Sequence, residues 1–261
     1  MDKRPIGVFD SGIGGLTVLK KIAKALPNED LIYFGDTARV PYGTRSKETI
    51  RKFAQEDVNF LLTKNVKCIV IACHTVSSVA AIQNGSTASV PIINATTPTL
   101  NFLKDAKRKR IAVIGTRGTI SSGVYKKSLR KTKVTEQECP LLVPIIEEGE
   151  KGEVLESAMR LYLSNIKKVK PDLVVLACTH YPIIKKEIKD FLGDVEILDP
   201  ADLISRELKR FLVSNHLQSK SSKKGGVKFF VTDTVEHFAK NAKELLREEV
   251  SGKIERIKLT Q

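Results

Sequence analysis

The sequence lacks any hydrophobic run long enough to cross a bilayer. Its longest apolar stretches, such as LVVLAC at 173–178, span about six residues, where a membrane helix needs about twenty. The opening MDKRPIGVFDSG moves straight into a strand-like segment, without the apolar stretch of a secretory signal. The expectation is a cytoplasmic protein with no membrane partner. Cysteine is scarce: Cys68, Cys73, Cys139 and Cys178 are the only four, and no C-x-x-C is present. A cytoplasmic chain of 261 residues can bury a core without disulfides, so all four are expected as thiols. Cys68 and Cys139 read as small buried hydrophobes.

Nucleotide fingerprints are also missing. The turn DSGIGGLT has G-x-G at Gly12 and Gly14, but Thr17 stands where a third glycine belongs, and Asp10 would face a pyrophosphate. No phosphate-cradling G-x-x-x-x-G-K-[ST] occurs. The net charge of +14 raises nucleic acid as a partner. The lysines, however, are scattered over expected helix faces, as at Lys20, Lys21 and Lys24, or Lys185, Lys186 and Lys189. The one dense cluster, KSSKK at 220–224, has no interleaved aromatics. Solvated faces are the better reading, and nucleic acid is not the expected partner. A basic surface would still draw anionic small molecules.

What is present is an alternation. Strand-like runs stand at 5–10, 30–36, 68–73, 90–95, 110–116, 139–145, 172–178, 195–200, 227–232 and 253–259. Helical stretches such as GGLTVLKKIAKAL, KETIRKFAQEDVNFLLTK and EVLESAMRLYLSNIKK lie between them. In the last, Val154, Ala158, Leu161 and Ile166 fall near helical spacing. Buried runs alternating with helices predict an α/β fold with parallel sheets covered on both faces. The plan runs twice: GVFDSGIGG leads to IACHT, and AVIGTRGT leads to LACTH. This weak repetition predicts two similar α/β domains, one of residues 1–97 with a returning segment 211–261, the other of residues 98–210, joined through 97–110. Ligands of open α/β sheets sit beyond the carboxyl ends of the strands. Asp10, Asp36, Cys73, Thr116, Glu147 and Cys178 are expected at or just past such ends, around one cleft.

Cys73 and Cys178 each come after a buried run and precede a polar Thr/His pair. A thiol at a helix start should have a lowered pKa. Thr75 and Thr179 could cap those helices or bind a carboxylate. Two thiols across a bound anion suit proton removal from one face of a carbon and delivery to the other. Asp10, Glu147 and His180 could tune them. Zinc is the alternative for Cys73, His74, Cys178 and His180, but spacings of one and two residues do not match the usual ligand pairs. No metal and no cofactor is expected.

In order along the chain, FDSGIGGL, GDTARVPYG, IACHTVSS, VIGTRGT, CPLLVPIIEEG and LACTHYP resemble the motifs of glutamate racemases, within the aspartate/glutamate racemase superfamily. The likeness runs from about residue 6 to 200, with an echo at FFVTDTVEHFAKNAKELL. The resemblance implies two pseudo-symmetric domains with the active site between them, and cofactor-independent interconversion of L- and D-glutamate for peptidoglycan synthesis. It makes Cys73 and Cys178 the acid–bases, with Asp10 supporting Cys73, and Glu147 rather than Glu148 supporting Cys178 together with His180. Substrate contacts are implied at Asp10, Ser11, Pro41, Tyr42, Gly43, Thr75, Thr116, Thr119 and Thr179. His74 departs from the asparagine usual in its place, where the amide holds substrate. A homodimer is also implied. Rival expectations are a racemase of this fold acting on aspartate or another small amino acid, and a catalytically weak descendant with a binding role.

Overall fold

The computed structural model describes residues 2–80, 89–106, 108–247 and 252–259. Lys107, inside the expected connector, lies outside these residues. The elements run in the order β1 (Ile6–Asp10), α1 (Leu16–Ala25), β2 (Leu31–Gly35), α2 (Lys47–Thr63), β3 (Cys68–Ile71), α3 (His74–Val79), β4 (Ile92–Asn94) and α4 (Thr96–Asp105). Then come β5 (Arg110–Gly115), α5 (Arg117–Ser121), α6 (Val124–Ser128), β6 (Lys133–Glu138), α7 (Leu142–Glu147), α8 (Glu153–Val169), β7 (Leu173–Ala177) and α9 (Lys185–Leu192). The chain closes with β8 (Glu196–Leu198), α10 (Ala201–Ser214), β9 (Val227–Val231), α11 (Val235–Leu246) and β10 (Gly252–Arg256).

Two parallel sheets result. The first has the order β10-β9-β2-β1-β3-β4, the second β6-β5-β7-β8. Every residue of β1, β2, β3 and β7 is buried, as strands covered on both faces require. Helices obey local chemistry. At α2, the Ser46 hydroxyl accepts the Thr49 N–H at 3.2 Å and Glu48 sits in the first turn, where the helix dipole favours negative charge. The same helix buries Ile50, Ala54, Val58 and Leu61 at helical spacing. The α/β class and doubled architecture agree with the expectation.

The topology locates the cleft. In the first sheet β1 lies between β2 and β3; in the second β5 lies between β6 and β7. Strand order therefore reverses at β1/β3 and again at β5/β7, the positions where open α/β sheets bind ligands. Asp10 ends β1, Cys73 lies just past β3, Thr116 just past β5 and Cys178 just past β7.

Two local expectations are corrected, and one boundary is proposed anew. CPLLVPI is not a strand: it leads into α7, which buries Leu142, Val143 and Ile146. Pro144, in the first turn, needs no N–H there. The strand is the preceding polar KVTEQE, at the edge of its sheet, where half-exposure relaxes the demand for apolar side chains. Glu147 accordingly ends a helix rather than a strand. On α8, Val154 and Leu161 are exposed, and Leu155, Ala158, Met159, Leu163 and Ile166 form the buried stripe. Finally, α10 joins the first core, where Ile204, Leu208 and Leu212 pack with Leu19 and Ile22 of α1. We place the return of the chain to the first half at Ala201, earlier than the expected boundary at 211.

Candidate active site

The turn after β1 is the centre of the site. Asp10 is fully buried; its Oδ2 accepts the Gly12 N–H at 3.1 Å and its Oδ1 accepts the Thr179 hydroxyl at 3.0 Å. Burial pushes the Asp10 carboxyl up, opposed by the charge on His180 and these two hydrogen bonds. The Thr17 hydroxyl reaches the Thr179 carbonyl at 3.1 Å, so residues 10–17 grip the second half directly. Glycine is required at position 14, because a Cβ there would stand 2.6 Å from Thr179 Oγ1 and collide with the His180 ring.

Cys73 precedes α3 and its thiol donates to Ser11 Oγ across 3.9 Å. Ser11 is not a helix cap, since α1 begins after Gly15. The expected lowered pKa is overturned. Burial pushes the Cys73 thiol up to about 12, Asp10 and Cys178 add to this, and the Val76 N–H at the helix start opposes it only in part. For a side chain this buried, desolvation outweighs the start of a six-residue helix.

Cys178 is supported differently. The segment after it is a 3-10 turn at Tyr181–Ile184 rather than an α-helix, and α9 begins later. Its Sγ lies 3.9 Å from His180 Nδ1, while His180 Nε2 lies 2.5 Å from Glu147 Oε1. Burial opposes charge on His180, but the hydrogen bonds to Cys178 and Glu147 outweigh it and push the imidazole well above its ordinary value. Burial likewise opposes charge on Glu147, and His180 and the Ile13 N–H more than offset it, holding that carboxyl below the usual range. The pair is thus imidazolium and carboxylate, with Ile13 N donating to the same Oε1 at 3.2 Å. It is Glu147, not its neighbour Glu148, that makes this contact.

A threonine chain closes the other side. Thr75 Oγ1 meets Thr116 Oγ1 at 2.8 Å, and Thr116 Oγ1 meets Thr119 Oγ1 at 3.0 Å. Thr116 also caps α5 by accepting the Thr119 N–H. Neither Thr75 nor Thr179 caps a helix; both hydroxyls cross between the halves. Pro41 leads into a 3-10 turn at Tyr42–Thr44, and Gly43 lies so close to Thr116 that a Cβ would stand 2.7 Å from Thr116 Cγ2. The Tyr42 hydroxyl points away, toward Asp36 and Asp57. His74 is buried, and neither ring nitrogen has a hydrogen-bond partner among the described residues. Burial pushes its imidazole down to about 4, so it is neutral at pH 7.

Residues 6–208 match the family described as Asp/Glu/Hydantoin racemase. The chain belongs to that racemase family. A glutamate racemase of Aquifex aeolicus is 42% identical over 253 residues, covering 95% of this chain and 96% of the relative. Among solved structures, glutamate racemase of Francisella tularensis in complex with D-glutamate matches with TM-score 0.90 and 38% identity, over 99% of both chains. That of Thermus thermophilus in complex with beta-chloro-D-alanine matches with TM-score 0.87 and 38% identity, also over 99% of both.

In this racemase-family chain, among the described residues, no three His, Cys, Asp or Glu side chains group to hold a metal ion, and no helix is long and apolar enough to cross a membrane. Cavities of about 630 and 580 Å³ lie beside Glu29, and neither is lined by Cys73 or Cys178. A cavity of about 240 Å³ touches Glu147 and Ile13 from outside, beside His237. Thr17 and Asp57 are not among the expected site residues. In the sequence Thr17 reads only as a missing glycine, and Asp57 sits in an ordinary amphipathic helix with no motif to mark it.

Proposed function

We propose that this chain interconverts L- and D-glutamate without a cofactor, through two cysteine acid–bases, and so supplies D-glutamate for peptidoglycan synthesis. The observation that carries the reading is the unequal support of the two sulfurs. Cys73 is a buried thiol that donates to Ser11, whereas Cys178 faces the N–H of a positively charged His180. One sulfur holds a proton ready to give; the other has a cation beside it and is suited to receive.

In one direction Cys178 takes the α-proton: the C–H bond breaks as S–H forms, and the electron pair stays on the α-carbon. The Cys73 S–H then gives its proton to the opposite face. The reverse direction exchanges the roles. Asp10 stands close enough to bias Cys73, and Glu147 holds the charge on His180. The hydroxyls of Ser11, Thr75, Thr116, Thr119 and Thr179, with the Pro41–Gly43 turn, supply neutral donors for two carboxylates and acceptors for an ammonium group. Both sulfurs are buried, so substrate enters when the halves part across the Thr75–Thr116 and Asp10–Thr179 hydrogen bonds.

The test is optical rotation of L-glutamate with purified, chelator-treated protein in D2O. Loss of rotation must accompany deuterium at the α-carbon. Racemisation of aspartate but not glutamate would transfer the reading to the smaller acid, and no change with either would leave a binding protein. His74, in place of the usual carboxamide, makes the aspartate arm worth running.

A further inference from the structure

Behind the Pro41–Gly43 turn lies a buried cluster that the reaction does not use. Arg39 donates through Nε to Asp36 Oδ2 at 2.5 Å and through Nη2 to Asp57 Oδ1 at 3.2 Å, and its Nη1 bonds Glu56. Its guanidinium carbon stacks 4.0 Å over the Phe53 ring, which in turn packs on Tyr42. Thr232, beyond the end of β9, donates to Asp36 Oδ1 at 2.9 Å. The Tyr42 hydroxyl sits between two carboxyl oxygens, bonded to Asp36 Oδ2 and 2.9 Å from Asp57 Oδ2. Asp36 and Asp57 are both fully buried.

A tyrosine hydroxyl has one proton to donate. It can satisfy one of these oxygens as donor, and toward the other it must accept. A carboxylate has nothing to give, so two separate two-centre bonds at this hydroxyl, rather than one proton shared between both oxygens, require a proton on one of the two aspartates. Asp36 already accepts on both oxygens, from Arg39, Tyr42 and Thr232. Asp57 is the less supplied, with one longer bond from Arg39 on its other oxygen. The charge balance points the same way, since three carboxyl groups surround one guanidinium, and Lys52 stands 3.9 Å from Glu56 in a largely exposed position.

We propose that Asp57 is a neutral carboxylic acid that donates to Tyr42, which donates to Asp36, and that this one-way chain positions the Pro41–Gly43 turn against Thr116. Burial and the neighbouring Asp36 both push the Asp57 carboxyl well above its ordinary value, in agreement with the proton count. Asp57 is a positioning residue: it reaches the site only through Tyr42, whose next residue, Gly43, touches Thr116. The role in turnover rests on the racemase reading; the protonation does not.

The experiment pairs infrared spectroscopy with kinetics on the full chain. The difference spectrum of wild type and Asp57→Asn at neutral pH should contain a neutral-carboxyl C=O band, shifted in D2O, that the variant lacks. Absence of that band overturns the proposal whether or not the wild type racemises glutamate. In turnover, Asp57→Asn, whose amide can donate to Tyr42 and accept from Arg39, should stay within about threefold of wild-type KM, while Asp57→Ala should raise KM by roughly tenfold, the scale of one lost buried hydrogen bond. Asp36→Asn, which sets a donor against donors, should be as harmful as Asp57→Ala. Should Asp57→Ala fail to fold, the band and the Asp57→Asn KM still decide. An Asp57→Asn KM raised tenfold or more would overturn the chain's direction.

Discussion

His180 Nε2 lies 2.5 Å from Glu147 Oε1, and this contact, together with the hydrogen bond to Cys178, raises the pKa of the imidazole against its burial. The His180 pKa is raised in the folded protein, so its contribution to stability is complete below the ordinary histidine value and is lost as pH rises through the raised one. The Glu147 pKa is depressed, so its contribution is present above the ordinary glutamate value and is lost as pH falls through the depressed one. The pair is therefore intact across the whole interval between, neutral pH included.

Replacing Glu147 by Gln should bring the His180 titration down toward its ordinary range. The basic limb of kcat/KM against pH should move to lower pH with it. An NMR titration of the His180 ring reads the first effect, and the rate profile reads the second. An unchanged His180 titration in the variant would mean that Glu147 is not the partner that holds the charge.

The two cysteines make a second prediction. Cys73→Ala and Cys178→Ala should each lower racemisation by about 10²–10⁴-fold, the range for a positioned acid or base. The equilibrium between enantiomers must stay at unity, because neither sulfur is consumed. A variant that keeps most of its rate in both directions would remove that sulfur from the mechanism.

Much of this site was legible in the sequence because it is local. A buried run ending in a polar triplet marks a strand end, and the doubled IACHT and LACTH set Cys73 and Cys178 at equivalent switch points of two sheets. The illegible part depends on partners far along the chain. A helix start argues for a low Cys73 pKa, but the thiol's burial against Asp10 decides the sign. Threonines at those positions suggest caps, yet Thr75 and Thr179 spend their hydroxyls on Thr116 and Asp10 of the opposite half. CPLLVPI misleads because apolar content signals burial, not strand, and the true edge strand beside it has no apolar face to show.

His74 carries a stability prediction. Its buried imidazole is held down to about 4 against an ordinary 6.5. Below the ordinary value the unfolded chain binds a proton that the native state refuses, so stability falls as pH drops from 6.5 toward 4. The full loss is about 3 kcal/mol, with about 2 kcal/mol of it reached near pH 5. His74→Asn should remove this acid sensitivity. Urea unfolding of both proteins near neutral pH and near pH 5 measures it. Equal losses in the two proteins would assign the acid sensitivity to other groups.

Closure of the two halves should depend on the absence of a side chain at Gly43. A methyl group there would collide first with Thr116 Cβ and would meet Cγ2 at 2.7 Å and Oγ1 at 2.8 Å, inside van der Waals contact. The neighbour cannot step aside without breaking its own bonds, because Thr116 Oγ1 is engaged by Thr75 and Thr119 and caps α5. The backbone at Gly43 is not left-handed, so Gly43→Ala introduces a collision without dihedral strain. Each half should then fold as before while the contact between them opens. The expected outcome is a rise in KM of roughly tenfold, the cost of about one buried hydrogen bond, with little change in the unfolding midpoint. Thr116→Ser should improve it little, since serine loses only the methyl group and keeps the Cβ and Oγ that the intruding carbon also meets. Full recovery of Gly43→Ala by Thr116→Ser would mean that the collision is with the Thr116 methyl group alone and that its Cβ gives way.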